Sequence, residues 1–310
     1  MPIYYDGKRK DITFCTMLFK MPQQNDLAKI KGENRNFEEF YLKALKKLCE
    51  TFNNIALWCD AETAEYLKKA GLSTKINMRV MKLQDLPHWG ERESNRKILY
   101  KMKKYVGYFL HHRSPECWVD YLPLMHAKPA VIDWAAKHNK FKSDFFIWMD
   151  AGAMSPRYQT SCVWNNWTGH ISAKPKRVKM TIAITLGKSR PHFVPRFVYD
   201  FWKFLFVKPI QNANEKNLSK QSLVDIAMTN ADYDVPGGCF MVPVKMAHDF
   251  YNAFERTRKI MKKHDLVCVD QGIFQAMMKL DTENMFELKY IKGYDGLYNC
   301  IADEKSDVLL

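Results

Sequence analysis

The fold class follows most directly from one segment, Asp144-Phe145-Phe146-Ile147-Trp148-Met149-Asp150-Ala151-Gly152. Its consecutive apolar residues, several of them aromatic, are typical of a strand that is buried on both faces of a sheet. Asp150 follows where this strand is expected to end, and ligands of open α/β sheets bind at that edge. The carboxylate is therefore a candidate for binding a divalent cation or phosphates, with Ala151 and Gly152 leaving room for a bulky ligand. A second interpretation stays open, in which Asp150 only caps the next turn.

Strand and helix patterns alternate on both sides of this segment. Toward the amino terminus the predicted strands are 12–19, 54–60 and 78–83, and the predicted helices are about 36–52, 61–70 and 124–137. Gly71 is a suitable residue to end the second of these helices, and Pro129 is expected in the first turn of the third. Toward the carboxyl terminus the pattern predicts strands at 180–187 and 239–243 and helices that start near 247 and 270. This order predicts an α/β fold with a mainly parallel sheet.

Composition and charge limit the kinds of partner. The 310 residues are 47% hydrophobic, which is enough for a large core. Lys and Arg number 48 against 34 Asp and Glu, so the formal net charge is +14. Such a surplus favours nucleotides, phosphorylated sugars, nucleic acid or an anionic membrane surface. The 8 cysteines include no C-x-x-C pair and no zinc-type spacing.

The expected location is the cytoplasm. Because the net charge is positive, a peripheral position at an anionic membrane surface is a further expectation. Scattered cysteines within apolar runs, such as Cys15, Cys59 and Cys239, are typical of reduced thiols that pack as small hydrophobes. The amino terminus contains no apolar core of signal-peptide length, and no transmembrane segment is predicted.

Several catalytic motifs are absent from the sequence. It contains no dinucleotide-binding or P-loop glycine pattern, no G-x-S-x-G elbow and no H-E-x-x-H helix. The elements that remain are the strand ending at Asp150, a Gly-Gly turn at residues 237–238 and an Asp-Gln pair at 270–271 where a helix starts.

This ordered set resembles the GT-A-fold glycosyltransferases, and more specifically the HtrL/YibB-like family. The pattern of that family has a lysine-bearing helix, a W-x-D-A-G strand end, a Gly-Gly turn and a late Asp/Glu-Gln pair. The matching positions here are Lys128, Trp148 to Gly152, Gly237-Gly238 and Asp270-Gln271. The likeness spans roughly residues 10 to 300 and depends on order and spacing more than on long identical runs.

The resemblance implies a hexosyl- or pentosyltransferase that uses a UDP- or GDP-sugar donor and a glycan, glycoconjugate or other hydroxyl acceptor. It implies an α/β, GT-A-like (Rossmann-like) fold with a mixed, mainly parallel sheet flanked by helices. A single domain over residues 1–310 is expected, with a nucleotide-binding half at about 10–155 and an acceptor-side half at about 156–300.

In this resemblance Asp150 is the catalytic-site carboxylate at the donor diphosphate and its metal, Mn²⁺ or Mg²⁺. The wider GT-A pattern usually has two carboxylates separated by one residue, whereas Gly152 stands at the second position here. A single Asp can still hold such an ion together with phosphate oxygens and water. Asp295 and Asp303 are candidates for a more distant ligand.

Two candidates lie on the acceptor side. Asp270 is a candidate for the carboxylate that deprotonates the acceptor or stabilises an oxocarbenium-like state, and the alternative is a residue that only caps its helix. Gly237 and Gly238 are expected to let the backbone approach a sugar, with an ordinary tight turn as the alternative. Gln271 is expected beside them in contact with substrate.

The remaining candidates each have a structural alternative. Lys128 and Arg35 are expected to contact the nucleotide donor, although a lone helical lysine is usually solvated. Asp60 is a candidate for binding the base, and capping of the following helix is favoured. Trp167 is a candidate sugar-stacking platform or a core aromatic. The pair His111-His112 is interpreted as basic surface, since adjacent helical residues do not face one site.

Two other function classes remain as alternatives to the transferase. The charge and the many aromatic residues allow a basic nucleic-acid-binding protein, but the positive residues are dispersed and no known nucleic-acid-binding module is present, which argues against this class. The single carboxylate at the strand end also allows a catalytically inactive GT-A-like protein that acts as an interaction surface.

Overall fold

The structure is a computed structural model that describes residues 11–21, 37–102, 118–155, 176–184, 233–234, 237–280 and 284–292. These residues contain the strands β1 (Ile12–Leu18), β2 (Ile55–Cys59), β3 (Ile76–Val80), β4 (Phe145–Met149), β5 (Val178–Ile184), β6 (Tyr233–Asp234), β7 (Cys239–Pro243) and β8 (Phe286–Lys292). They also contain the helices α1 (Lys43–Thr51), α2 (Ala61–Lys69), α3 (Arg92–Lys101), α4 (Tyr121–His138), α5 (Ala247–Lys263) and α6 (Asp270–Lys279). A π-helical turn covers Phe37–Leu42, and 3-10 turns cover Ser73–Lys75, Leu83–Asp85, Trp89–Glu91, Ala151–Met154 and Val244–Met246.

The strands form one mixed sheet in the order β3-β2-β1-β4-β7-β5-β6, and β8 also pairs with β5. Strands β3, β2, β1 and β4 are parallel to one another, and β8 is parallel to β5. Strand β7 runs antiparallel to both β4 and β5. This architecture confirms the predicted α/β fold with a mixed, mainly parallel sheet flanked by helices.

The order of the strands reverses at β1. The chain places β2 on one side of β1 and β4 on the other. Such a reversal opens a crevice outside the carboxyl ends of the two central strands, and ligands of open α/β sheets bind there. Because β4 ends at Met149, Asp150 lies at the edge of the sheet where such a crevice is expected.

The side chains of β4 alternate between two cores that cover the sheet. Phe146 and Trp148 pack in the core that contains α4, α5 and α6, whereas Phe145, Ile147 and Met149 pack in the core that contains α1. Every residue of the strand is buried. An uninterrupted apolar run is what a strand with two covered faces requires.

Helix α2 has the boundaries that the sequence predicts. Asp60 precedes the helix, and its Oδ1 accepts a hydrogen bond from the Thr63 backbone N–H at 2.8 Å. Gly71 follows the helix with a φ of +74°, a conformation that costs glycine little. The favoured interpretation of Asp60 as a helix cap is therefore confirmed.

The predicted boundaries of the third strand are wrong. Strand β3 covers Ile76–Val80 rather than 78–83. The reason lies in the chain that follows, where Asp85 Oδ2 accepts the Lys82 backbone N–H at 3.0 Å and closes a 3-10 turn. The strand therefore ends before this turn.

The expected place of Pro129 is also wrong. Helix α4 begins at Tyr121, so Pro129 lies inside the helix instead of in its first turn. A proline at this position lacks the N–H that would donate to the Met125 carbonyl. Most side chains of α4 are buried, and this burial outweighs the missing hydrogen bond.

The helix expected within the basic segment 84–118 is α3, and residues 103–117, with His111-His112, lie outside the described residues. In the described part of the chain Cys15, Cys49, Cys59, Cys239 and Cys268 are buried, as expected of thiols that pack as small hydrophobes. None of the helices among the described residues has the combination of length and apolar character that crossing a bilayer requires.

Candidate functional site

The side chain of Lys128 brings three separate parts of the chain together. Its Nζ lies 2.7 Å from Asp270 Oδ2 and 3.1 Å from Asp150 Oδ1. The same ammonium donates a hydrogen bond to the Gly237 carbonyl at 2.8 Å. Lys128 is only 2% exposed. The alternative of a solvated lysine is therefore wrong, and four motif residues that are far apart in the sequence form one cluster.

Asp150 is the exposed member of this cluster. Its side chain is 45% exposed, and its Oδ1 accepts a hydrogen bond from Trp148 Nε1 at 2.8 Å. Its backbone N–H donates to the Gly238 carbonyl at 3.0 Å, which extends the pairing of β4 with β7 by one residue. Both the backbone and the carboxylate of Asp150 are thus held at the carboxyl end of β4.

Trp148 explains the W-x-D spacing physically. Residues two apart on a strand point to the same face, so the indole of Trp148 lies beside the carboxylate of Asp150. The Lys128 Nζ lies 5.5 Å from the centroid of the Trp148 ring, within the range of a cation–π contact. One aromatic side chain, 1% exposed, therefore contacts both charged groups.

Asp270 is the buried carboxylate of the cluster. It is the first residue of α6, and its side chain is 3% exposed. The residue before it, Val269, occupies the N-cap position and makes no side-chain capping bond. The Asp270 carboxylate accepts the backbone N–H of Gln271 and lies next to the Lys128 ammonium. Asp270 thus lies at the helix start, as predicted, but faces inward.

The Gly-Gly turn leaves the regular ladder beside β5. Asp234 of β6 pairs with Ala183 of β5, and Phe240 of β7 pairs with Met180 of β5. Two residues lie between Met180 and Ala183, whereas five residues lie between Asp234 and Phe240. The extra length does not fit the ladder, and Gly237 and Gly238 lie in a turn. This turn presents the Gly237 carbonyl to Lys128.

Burial and the neighbouring charges act in opposite directions on the pKa values of Lys128 and Asp270. Burial is the strongest influence on the Lys128 pKa and lowers it, but the attraction of Asp150 and Asp270 together exceeds this effect and holds the pKa above its usual value. Burial also raises the pKa of Asp270, in spite of the opposing attraction of Lys128. With both carboxylates ionised, the cluster carries one net negative charge, and Asp150 is the group that presents it to solvent.

Tyr121 is a residue of this site that the sequence did not indicate. Burial is the main reason why its pKa is raised, and its hydroxyl also interacts electrostatically with Lys128, Asp150 and Asp270. Tyr121 precedes Lys128 by seven residues on α4, which places both on one face of the helix. The seven-residue spacing was the sequence signal that could have placed Tyr121 in the site, but it becomes informative only when Lys128 is known to be buried.

Gly152 packs against aromatic rings rather than an open space. A Cβ built on Gly152 would lie 3.1 Å from Phe40 Cε1 and 3.4 Å from Tyr41 Cε1. Ala151 beside it is 6% exposed. The expectation that these two small residues leave room for a ligand is therefore wrong for this face, because the π-helical turn before α1 fills the space.

Two other predicted site residues, Asp60 and Gln271, lie among the described residues. Asp60 Oδ1 caps α2, and its Oδ2 accepts the Lys20 backbone N–H at 2.7 Å. Gln271 is half-buried next to Asp270. The predicted contacts of Arg35, of Trp167, and of the distant acidic candidates Asp295 and Asp303 lie outside the described residues.

The donor set of the site is compatible with a weakly held divalent cation. Within the part of the chain that the structure describes, no group of three or more His, Cys, Asp or Glu side chains is arranged to hold a metal ion. Of the two carboxylates in the cluster, that of Asp150 is the exposed one. A Mg²⁺ or Mn²⁺ ion at this position would depend on one protein oxygen together with substrate phosphates and water, as such ions often do.

Comparison with known proteins does not assign the chain to a family. No protein-family model and no curated protein matches it. Among solved structures it is similar to mouse xyloside xylosyltransferase 1 in its apo form, with 12% identity, a TM-score of 0.37 and coverage of 90% of this chain and 85% of that chain. It is also similar to 4-diphosphocytidyl-2C-methyl-D-erythritol synthase from Anaerococcus prevotii DSM 20548, with 11% identity, a TM-score of 0.35 and 96% coverage of both chains.

Proposed function

We propose that the protein is a glycosyltransferase that moves a sugar from a UDP- or GDP-sugar to a hydroxyl group of a glycan or glycoconjugate. The donor binds in the crevice at the carboxyl ends of β1 and β4, with Asp150 facing its diphosphate. The reversal of strand order at β1 supports this placement, because it forms the kind of crevice in which α/β proteins bind nucleotides.

The observation that supports the proposal most is the convergence of three motifs on the ammonium of a fourth. Lys128, Asp150, Gly237 and Asp270 lie on a helix, a strand end, a turn and a second helix start, and their polar atoms meet within 3.1 Å of Lys128 Nζ. These are the positions that match the HtrL/YibB-like pattern. We include membership of that family in the proposal on this ground.

Asp150 has the properties of a ligand-binding carboxylate. It is partly exposed, it lies at the sheet edge where ligands bind, and its orientation is fixed by Trp148 and Lys128. A Mn²⁺ or Mg²⁺ ion, when bound, supplies the positive charge that stabilises a diphosphate leaving group. The contribution of this chain is to offer one fixed carboxylate oxygen at the place where that charge is needed.

The experiment that tests the proposal is a thermal-shift screen with UDP, GDP, UDP-glucose and GDP-mannose, each with and without MnCl₂. A ligand that binds only the folded protein stabilises it by mass action, by about 2.7 kcal/mol at one hundred times its Kd. We expect a rise in Tm with at least one of these nucleotides, and release of the free nucleoside diphosphate when acceptor hydroxyls are supplied.

The matched variants are Asp150→Asn and Asp144→Asn. Asp144 is an exposed carboxylate immediately before β4, at the opposite edge of the sheet from Asp150. We expect Asp150→Asn to remove turnover while the protein stays folded, and Asp144→Asn to keep it. Full turnover by Asp150→Asn would refute the site assignment. If no nucleotide binds but DNA or RNA does with steep salt dependence, the protein belongs to the nucleic-acid-binding class instead.

A further inference from the structure

We infer that Lys128 is a positioning residue, which fixes the carboxylate of Asp150 for the donor and does not itself touch the donor. Asp270 is also a positioning residue, because it stabilises Lys128 in the position from which Lys128 contacts Asp150. This inference rests on the proposed function, because it states how the donor-facing carboxylate is prepared. It differs from the expectations that the sequence alone gave, in which Lys128 contacts the diphosphate and Asp270 contacts the acceptor.

The first argument is the number of hydrogen-bond donors on Lys128. An ammonium group has three N–H donors and no acceptor. Three protein oxygens lie within 3.1 Å of Nζ, on Gly237, Asp150 and Asp270. The Gly237 carbonyl accepts a hydrogen bond from the ammonium, and the two carboxylates lie at ion-pair distance and neutralise its charge. With the side chain 2% exposed, a donor in the crevice has no access to the ammonium.

The second argument is which oxygen of Asp150 is engaged. Both Lys128 Nζ and Trp148 Nε1 contact Oδ1, at 3.1 Å and 2.8 Å. Among the described residues no side chain bonds to Oδ2. Contacts from two directions to one oxygen fix the orientation of the whole carboxylate, and they leave Oδ2 as the atom that the crevice receives. Charge-assisted bonds of this kind are stronger than neutral ones, which suits a positioning role.

The third argument concerns what keeps the ammonium in place. A buried ammonium is costly unless nearby acceptors compensate for the water it has lost. Asp270 makes the shortest of the three contacts, and its own side chain is 3% exposed. Asp270 therefore stabilises Lys128 in the buried position from which it reaches Asp150. A carboxylate buried under Lys128 does not reach an acceptor hydroxyl, so its effect on sugar transfer passes through Lys128.

The test separates a positioning role from a purely structural one. Lys128→Met leaves Asp270 buried without a cation, and we expect a large loss of stability. In the double variant Lys128→Met/Asp270→Asn the uncompensated charge is removed as well, and we expect Tm to recover for the most part. If Lys128 positions Asp150, the affinity of the double variant for the nucleotide sugar stays about tenfold or more below that of the wild type, the size expected for one charge-assisted bond.

The control is Lys137→Met on the same helix. The Lys137 side chain is 57% exposed, and its Nζ lies 2.7 Å from Asp133 Oδ2, away from the cluster around Lys128. We expect the affinity of the Lys137→Met variant for the nucleotide sugar to match that of the wild type. Calorimetric titration with UDP-glucose and GDP-mannose gives the readout. A double variant that regains both its Tm and the wild-type affinity would overturn the inference and leave the proposed function intact.

A crystal structure of the double variant decides the inference without any nucleotide. We expect the Asp150 carboxylate to leave the orientation in which Oδ1 faces Trp148 Nε1. An unchanged carboxylate would overturn the positioning role. If the wild type binds no nucleotide sugar, the proposed function fails, and this structural comparison still shows whether Lys128 orients Asp150.

Discussion

Gly237 and Asp270 are in such close contact that no side chain fits between them. A Cβ built on Gly237 would lie 1.9 Å from Asp270 Oδ2 and 2.7 Å from its Cγ, distances that real Cβ atoms essentially never show. The φ angle of Gly237 is not in the left-handed region, since Gly71 is the described glycine with a positive φ. The glycine is therefore required for the approach of a carboxylate, and its backbone conformation does not demand it.

The first prediction is that Gly237→Ala destabilises the protein by about 1–3 kcal/mol, the usual cost of forcing an extra group into a packed site. The new methyl group pushes the Asp270 carboxylate away from Lys128 and separates the ion pair. Urea unfolding followed by circular dichroism measures the change.

Gly90→Ala is the control for this variant. Gly90 is exposed, and a Cβ built on it meets no atom within 4 Å. We expect its unfolding free energy to stay close to that of the wild type. Equal stability of the two variants would show that the carboxylate of Asp270 does not occupy the space beside Gly237.

The second prediction concerns His126, which forms a hydrogen bond to the backbone just before α6. Its Nε2 donates to the Cys268 carbonyl at 2.8 Å, and the ring is 2% exposed. Burial is the main cause that lowers its pKa to about 3, although the bond to Cys268 acts in the opposite direction. The folded protein therefore keeps this ring neutral at pH values where an unfolded chain, with a pKa of about 6.5, takes up a proton.

The sign of the effect follows from proton uptake. Between pH 6.5 and 3 the unfolded state binds one more proton at His126 than the folded state does, so acid favours unfolding. Stability should fall by about 1.4 kcal/mol for each pH unit below 6.5 from this group alone. His126→Gln cannot take up the proton, and its unfolding free energy should depend less on pH between 7 and 5. Identical slopes for both proteins would contradict the prediction.

The third prediction concerns Glu91, which joins the turn before α3 to α5. Its carboxylate accepts hydrogen bonds from Arg258 at 2.8 Å and Lys262 at 2.6 Å. Burial alone would raise its pKa, but these two cations outweigh that effect and lower the pKa to about 2. Because the pKa is lowered, the stabilisation is fully present above the unfolded value of about 4.3 and is lost as the pH falls toward 2.

Glu91→Gln should therefore lower Tm at pH 7, with the difference from the wild type shrinking as the pH falls below 4.3. Glu93→Gln is the control, because Glu93 pairs with Arg96 at the surface and its side chain is 72% exposed. Exposed pairs of this kind contribute little to stability. A larger loss of Tm at pH 7 in Glu93→Gln than in Glu91→Gln would contradict the assignment.

Much of the fold could be predicted because the spacing of apolar residues along the chain matches the faces that the strands and helices bury. The apolar run of β4 needed two covered faces, and Asp60 and Gly71 have the chemistry that begins and ends a helix. The position of Asp150 at the carboxyl end of β4 followed from the strand alone. Pro129 was placed incorrectly because the start of α4 depends on burial of its first turn, and no local signal reports this.

The arrangement within the site could not be predicted, since it depends on contacts between distant segments. Lys128 resembles any helical lysine until the chain folds Asp270 and Gly237 against it. The inward direction of Asp270 has no sequence signature, because a carboxylate at a helix start suits both a cap and a site. The reason for Gly237 became visible only as a distance to a side chain 33 positions away.

The fourth prediction separates the two roles of Trp148, which are to fill the core and to donate a hydrogen bond to Asp150. Trp148→Phe keeps an aromatic ring under Lys128 but removes the indole N–H that contacts Asp150 Oδ1 at 2.8 Å. Trp58→Phe is the matched control, because Trp58 lies in the same core and its Nε1 has no hydrogen-bond partner among the described residues. Both variants should lose about 1–3 kcal/mol of stability through the smaller ring.

Only Trp148→Phe should also weaken nucleotide-sugar binding, by about tenfold, which is the expected effect of one lost hydrogen bond to a charged group. Calorimetric titration with the nucleotide sugar that stabilises the wild type measures the two affinities at equal protein concentration. Because the two variants make the same substitution in the same core, a difference between their affinities reports the contacts of the indole with Asp150 and Lys128. Equal affinities would mean that Asp150 keeps its orientation without the indole, and that Lys128 alone is sufficient to hold it.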